Sequence, residues 1–404
     1  MARRIAVIGS GASGAAVALF LHRNGEEVTL FEREPNPKPV GAGFMLQLTG
    51  QQVLHNLSLF DTVANYGHSI QKIEGKNMSG DYVLDLNFDH LPFNSYGIGM
   101  HRGLLFSIMH QEIKKEGITF RTGFEVKDIL KKGNETYLES VTGETEGTFD
   151  LVVVANGSSS LLRNNLPITK RSNKQKWGAA WTVVPNTSND FDNRIYQVYC
   201  GTKKMIGLMP IGRKEPADNA SYLNVFWSLK MSDANQWREK GLENWKNEVK
   251  DLAPHLAYVI NEIPDLDEVR IAPYYDVKLT PYYKDNVVFI GDAAHAMSPQ
   301  LSCGVNNALL DAQVLAISLK ENSSMETALK AFYQQRKSHN QFYQQLCRVI
   351  TPLFQSSYPI GKARDFILNQ VSSFSFTNQW MAENALGIRE SLFKRLDEKY
   401  YLTK

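Results

Sequence analysis

Apolar and polar positions follow two periods along this chain, and the switches between them predict its elements. Residues 3–9, RRIAVIG, form a short β-branched run. Residues 12–23 follow with the Ala, Val and Leu spacing of a helix, and Asn24-Gly25 supplies a stop. A second buried run, EVTLFE from Glu27 to Glu32, completes a strand–helix–strand unit. Three prolines between Pro35 and Pro39 predict an irregular loop, and a helix is expected from Thr49 to Leu59.

Residues 69–98 alternate as strands do, with Gly80-Asp81 as the turn of a hairpin. Arg102 to Lys115 reads as an amphipathic helix, and FDLVVVANG from Phe149 to Gly157 as a fully buried strand. Between Lys170 and Asp276 short aromatic-rich runs (WGAAWTVV, IYQVYC, MIGLMPIG, SYLNVFWSL) predict an antiparallel sheet, interrupted by one helical stretch near Asp233 to Leu252. Lys170 to Lys176 reads as a solvated basic connector. The parallel-strand signature returns at Val287 to Ile290. A helix then starts near Gly304, with Val305, Ala308, Leu309, Ala312, Leu315, Ala316 and Leu319 at core-facing spacing. Everything from Met325 onward reads as helical, with a broad apolar face through Phe342, Tyr343, Leu346, Val349, Ile350, Leu353 and Phe354 that core packing or a subunit contact explains.

The expected fold class is α/β: a Rossmann-like domain with an inserted antiparallel-sheet domain and a helical C-terminal tail. The first domain is discontinuous, over residues 1–68, 99–169 and 277–320. The sheet domain takes 69–98 and 170–276, and the tail 321–404.

Composition narrows the function. Of 404 residues, 43% are apolar and 21% charged, which fits a folded globular protein. The 44 basic and 42 acidic residues nearly cancel and form no basic stripe, which argues against nucleic acid. Cys200, Cys303 and Cys347 are odd in number and form no CxxC or CxxH pair, so neither a disulfide framework nor a metal site is expected, and a reducing cytoplasm fits. Arg3-Arg4 before an uncharged run mimics a secretory signal, but Gly9, Gly11 and Gly14 would break the helix such a signal needs. No apolar span of membrane length is present.

Gly9-Ser10-Gly11-Ala12-Ser13-Gly14 matches GxGxxG between a strand and a helix, with Glu32 at the end of the next strand. One glycine permits the turn, one lets backbone N–H groups approach a pyrophosphate, and one lets helix and strand pack closely. Glu32 can accept from both ribose hydroxyls of an adenosine without a 2′-phosphate. The motif alone does not separate NAD from FAD. A second candidate is Gly291-Asp292-Ala293-Ala294-His295, at the carboxyl end of a strand and ahead of Pro299 and Gly304. Asp292 could hold a polyol chain or cap a helix, and His295 reads best as a packed, hydrogen-bonded histidine.

Taken with the GAGFMLQLTG segment, Glu32-Arg33, His101-Arg102 and Asn156-Gly157, these motifs occur in the order seen in group A flavoprotein monooxygenases, the para-hydroxybenzoate and salicylate hydroxylase family. The resemblance spans about residues 1–320. It implies an FAD whose pyrophosphate lies over Gly11, Ala12, Ser13 and Gly14, whose adenosine meets Glu32, Arg33 and Val126, and whose ribityl chain meets Asp292. Gly43 would lie on the ribityl-isoalloxazine side, Arg102 near the phosphates or ribityl, Pro299 at the flavin face, and Gly304 and Val305 would point N–H groups at the flavin edge. It further implies electrons from NADH or NADPH, O2 as co-substrate, a flavin C4a-hydroperoxide, and hydroxylation of a small aromatic or heteroaromatic substrate by a monomer or homodimer.

Substrate contacts are expected from Gln47, Trp181, Met209, Phe226, Trp227 and Pro299, and no residue stands out as a base. Two positions depart from the family pattern: Asn156 replaces an Asp, and Ser302-Cys303-Gly304 replaces Gly-Gln-Gly. Cys303 reads as a small residue filling a tight turn. The alternatives are a flavin reductase or dehydrogenase without oxygen insertion, a halogenase, which MIGLMPIG disfavours for want of a tryptophan pair, and a non-catalytic dinucleotide-fold carrier.

Overall fold

The computed structural model describes residues 2–91, 95–133, 135–166 and 168–402. At its centre lies a six-stranded sheet in the order Tyr283–Lys284, Val287–Phe289, Leu151–Val154, Arg4–Ile8, Glu27–Glu32, Thr119–Thr122. All neighbours run parallel except the first pair. Strands buried on both faces need uninterrupted apolar runs, and Ile5, Val7, Leu151, Val153 and Val288 are fully buried. Helix Ala12–Arg23 packs against helix Cys303–Glu321, so the two candidate motifs start from adjacent helices.

A seven-stranded sheet follows in the order Arg270–Thr280, Thr169–Pro185, Tyr222–Lys230, Lys204–Gly212, Arg194–Cys200, Lys72–Asn77, Tyr82–Asn87. It is antiparallel except where Arg194–Cys200 meets Lys72–Asn77. One face is covered by helices Ala234–Glu239 and Gly241–Leu252, whose Trp237 and Trp245 pack with Trp227 in an apolar core. A small sheet of Gly43–Leu46, Gly97–His101 and His68–Ile70 packs on strand Lys204–Gly212 of the seven-stranded sheet. Its middle strand spans the expected boundary at residue 98. A Cβ on Gly99 would stand 1.9 Å from Pro210 O, so only glycine lets this strand lie flush on the larger sheet.

Three expectations need correction. Residues 170–176 are not a connector but part of strand Thr169–Pro185, paired with Arg270–Thr280 from Thr169 to Lys174 and again from Gly178 after a shift of register; ladder hydrogen bonds do not require apolar side chains where a strand faces solvent. The helix expected over 49–59 is two helices, Leu48–Asn56 and Phe60–Tyr66, broken at Ser58 with φ +56°. The tail is α-helical through Met325–Phe354, Gly361–Ser373 and Ser375–Ala385, with one 3-10 turn at Glu398–Tyr400, and irregular between and beyond these among the described residues. After Ala385 an isolated bridge joins Arg389 to Arg395, and both arginines pair with buried Glu383.

Candidate active site

The three glycines of the first turn differ in what surrounds them. Gly9 has φ +99°, and a side chain there would strike Ala155 O at 2.8 Å. A Cβ on Gly14 would lie 1.8 Å from Gly9 O, where helix and strand touch, whereas one on Gly11 would meet nothing within 4 Å. Room for an incoming group therefore exists at Gly11. The helix behind it has no side-chain cap and no acid in its first turn, so its free N–H groups and partial positive charge remain available to an anion. Ser13 is buried and Ala12 half-buried at this helix start.

Glu32 stands beside the turn. Its Oε2 accepts from Ser10 N at 3.0 Å and Ser10 Oγ at 2.8 Å, and its Oε1 accepts only from Glu34 N at 3.1 Å, which leaves that oxygen capacity for a hydroxyl. Phe124 N donates to Glu32 O, bringing the segment that carries half-buried Val126 to the same strand end. Arg33 is exposed, its guanidinium 3.4 Å from Glu34. Sequence reasoning missed His110, whose ring bonds Ser10 O at 2.9 Å and stacks on Phe106 at 3.8 Å, supporting the turn from behind. Burial holds its pKa below the usual histidine range.

The second end of the site is built from Asp292 and the start of helix Cys303–Glu321. Asp292 and Pro299 are exposed to a cavity of about 630 Å³, which Gly304 and Val305 also line. Ser302 adopts φ +51° just before this uncapped, acid-free helix start, and a Cβ on Gly304 would approach only Asp292 Oδ1, at 3.6 Å. Asn306, one turn in, holds the opposite strand: its Oδ1 accepts from Gln47 N at 2.8 Å, and its Nδ2 donates to Met45 O at 3.0 Å. Gly43 faces the same cavity, its N–H donating to Asn224 Oδ1. Arg102 lines it too, its side chain packed so closely on Gly41 that a Cβ there would lie 2.7 Å away.

A buried polar network braces this end. Asp311, fully buried, accepts from Gly291 N at 2.9 Å and Arg336 Nε at 2.7 Å, and bonds the His295 ring at 2.5 Å. Against the opposing effect of burial, the Arg336 guanidinium and the bonded His295 ring hold its carboxyl well below the usual range. His295 is thus a packed, bonded histidine. Cys303 is buried with its thiol 3.3 Å from Met297 Sδ, and its pKa is pushed up by the neighbouring Cys347 thiol and by burial, which makes it an inert filler. Asn156 lies beside Gly9, and its buried Oδ1 has no hydrogen-bond partner among the described residues.

Of the expected substrate contacts, Trp181, Met209, Phe226 and Pro299 line the cavity. Trp227 does not: side chains alternate along strand Tyr222–Lys230, and Trp227 points the other way, onto Trp245 with ring centroids 6.3 Å apart. Gln47 does not either. It is fully buried, and its Nε2 donates to Leu301 O at 2.8 Å and Ala385 O at 2.7 Å, tying the segment after the small sheet to the last long helix. Much of the remaining wall comes from the tail, which sequence reasoning left out of the site: Leu346, Ile350, Leu353 and Phe354 from the long helix, with Trp380 and Asn384. The apolar run through Leu346 and Phe354 was the available signal, and it was assigned to core or subunit packing.

The residues present fit an FAD. Open backbone at Gly11, an unfilled carboxylate site at Glu32, and a cavity edged by Asp292 and an uncapped helix start match its pyrophosphate, ribose and ribityl-isoalloxazine parts. Comparison with known proteins agrees. Residues 3–345 match a family described as FAD binding domain. The chain is 26% identical over 380 residues to kynurenine 3-monooxygenase of Salinispora tropica, covering 83% of this chain and 77% of the relative. It is 24% identical over 343 residues to a probable 2-heptyl-3-hydroxy-4(1H)-quinolone synthase of Rhodococcus erythropolis, covering 81% and 82%. The fold is that of the tetrameric form of 2-methyl-3-hydroxypyridine-5-carboxylic acid oxygenase, with a TM-score of 0.77 at 24% identity over 97% of this chain and 98% of that one. Among the described residues no helix is long and apolar enough to cross a membrane. With the dinucleotide turn and the second helix start both inside the matched span, the chain belongs to the FAD-binding family of flavin-dependent aromatic monooxygenases.

Proposed function

We propose that the protein hydroxylates an aromatic or heteroaromatic small molecule, using electrons from NADH or NADPH and one atom of O2. The observation that carries this reading is one continuous cavity. It begins at Asp292 and the uncapped Gly304 helix start and extends into a chamber lined mainly by apolar side chains. A simple electron carrier has no need of such a chamber, whereas oxygen transfer to a ring needs the ring held and water excluded.

FAD bound here would supply the hydride acceptance and oxygen activation. The chain's own groups do the rest. The helix start behind Gly11 would hold the pyrophosphate, Glu32 would accept from the ribose, and Asp292 would accept from the ribityl hydroxyls. The backbone N–H groups of Gly304 and Val305 would face the edge of a bound flavin and favour negative charge there. Asn306 and Asn224 fix the facing Gly43–Leu46 strand, which sets the width of the slot. Trp181, Met209 and Phe226 form the roof over the ring.

The test is anaerobic reduction of the purified yellow protein by NADH or NADPH, followed by exposure to isotopically labelled O2 with a panel of aromatic compounds. One labelled oxygen atom in a ring hydroxyl is the expected result. Rapid oxidation of NAD(P)H with no label in any ring product would favour the reductase reading. The three free cysteines suit a reducing cytoplasm, and a monomer or homodimer is the assembly we propose, to be read by sedimentation.

A further inference from the structure

We propose, building on the hydroxylase reading, that the substrate ring backs onto the Gly207 backbone beside Phe226, and that Gln197 selects it by donating a hydrogen bond from Nε2 to an oxygen on the ring. The first ground is a glycine that the fold itself does not require. Glycine inside a strand weakens it, and it is kept where a bulge, a bend or a close approach demands it. Within the strands of the described residues, Gly43, Gly75, Gly97, Gly99, Gly147 and Gly178 would each bring a Cβ within 3.0 Å of a neighbouring atom, and Gly212 has φ +65°. Gly207, in strand Lys204–Gly212, is under neither constraint. Its φ lies outside the left-handed region, and the nearest atoms to a Cβ there would be Met205 Sδ at 3.5 Å, Gln197 Cγ at 3.6 Å and Gln197 Nε2 at 3.8 Å, all ordinary contacts. The missing side chain leaves a notch in the cavity wall, which Gly207 lines. Bare backbone of this kind suits a planar group lying directly on it.

The second ground is what flanks the notch. Gly207 pairs directly with Phe226 on one side and with Gln197 on the other, and Phe226 pairs in turn with Trp181. Directly paired residues of a sheet share a face, and all four line the cavity. A ring seated on Gly207 therefore has an aromatic neighbour at Phe226 and an amide at Gln197.

The third ground is the direction of that amide, which Tyr199 sets from two residues along the same strand. Burial pushes the Tyr199 phenol up, so it keeps its proton, and its Oη donates to Gln197 Oε1 at 2.7 Å. The Tyr199 hydroxyl has no other hydrogen-bond partner among the described residues, so turning the amide over would leave the phenol proton without an acceptor. Gln197 Nε2 is thus the end left for a ligand. It has no partner among the described residues, and it is not sealed: Gln197 is half-buried and lines the cavity, and this nitrogen is not among the enclosed, unbonded atoms. A ring that displaces solvent from it must bring an acceptor or leave the donor unpaired. A phenol or phenolate oxygen and a ring carbonyl both meet that need.

The test uses the FAD-loaded protein without reductant, reading affinity from the change in flavin absorbance or fluorescence. The probes are 2-naphthol and 1-tetralone, with naphthalene and tetralin as counterparts that lack the oxygen. Each oxygenated ring should bind about tenfold more tightly than its counterpart, and Gln197→Leu should abolish the difference. Gln197→Glu, which offers only an acceptor, should keep a preference for 2-naphthol, whose O–H can donate to it, and lose the preference for 1-tetralone, which has no O–H. Gly207→Ala has room for its methyl and should keep the melting temperature and the FAD affinity of the parent, while weakening all four rings about tenfold or more. It is the independent variant for the case that Gln197→Leu does not fold. A preference confined to one of the two oxygenated rings, and removed by Gln197→Leu, identifies which oxygen is recognised and supports the proposal. No binding of any probe, an oxygen preference that survives in Gln197→Leu, or a Gly207→Ala variant that weakens FAD instead of the rings overturns it. If the variants behave as expected but no labelled hydroxyl appears on turnover, the hydroxylase reading fails while the subsite stands. If a ring is hydroxylated with KM unaltered in Gly207→Ala and Gln197→Leu, the reverse holds.

Discussion

Asn224 Oδ1 accepts a hydrogen bond from Gly43 N at 2.9 Å, joining the middle of the seven-stranded sheet to the segment that borders the cofactor end of the cavity. The contact is tight on both sides, since a Cβ on Gly43 would fall 2.7 Å from Asn224 Cβ. Asn224→Leu would leave the half-buried Gly43 N–H without its acceptor, at a cost of about 1 kcal/mol. Urea unfolding should show that loss, and titration with FAD should show weaker binding; unchanged values on both would mean the tether has no role.

The glycine turn separates folding from cofactor binding. Gly14→Ala drives a methyl into Gly9 O and should destabilise the FAD-free protein by about 1–3 kcal/mol. Gly11→Ala meets open space at an ordinary backbone conformation, φ −67°, and should leave the melting temperature of the FAD-free protein unchanged while weakening FAD about tenfold or more. Calorimetry and FAD titration of the two variants check this division.

Phe226 and Trp227 should part in the same manner. Trp227→Ala empties core volume beside Trp245 and should cost about 3–5 kcal/mol of stability. Phe226→Ala removes a cavity wall and should raise KM for the ring substrate with little change in unfolding. Steady-state kinetics beside denaturation curves will distinguish them.

Stability should fall on mild acidification. His339 is fully buried, and burial together with the Arg336 guanidinium keeps it neutral far below its ordinary pKa of 6.5. The unfolded chain takes up that proton below about pH 6.5 and the native chain does not, so stability is complete above that pH and declines below it, by up to about 1.4 kcal/mol per pH unit. His339→Gln should flatten the decline seen in unfolding free energies between about pH 6.5 and 5. Asp311 behaves as a depressed carboxyl, its contribution present above about pH 4 and lost only under stronger acid.

How much could be read from the chain alone depended on whether a signal was local. Ile5, Gly9, Gly14 and Glu32 sit within one strand–helix–strand unit, where period and spacing carry the geometry. The helix of Arg102 to Lys115 was legible for the same reason. Phe226 and Trp227 were not separable, because alternation says that they face opposite ways without saying which face is core. Gln47 was misread because its partners, Leu301 and Ala385, are 254 and 338 residues away. Strand Thr169–Pro185 was hidden in part because its first residues carry charge where a strand pattern expects apolar alternation.

Residues beyond 345 supply one part of the cavity wall, and the dinucleotide turn provides none of that part. A product released or clipped near residue 345 would retain the groups around Gly11, Glu32, Asp292 and Gly304 but lose Ile350, Leu353, Trp380 and Asn384. Its dye would stand open to bulk water, and reductant would be diverted into hydrogen peroxide. On the proposed reading, cutting the chain there would uncouple consumption of reductant from hydroxylation.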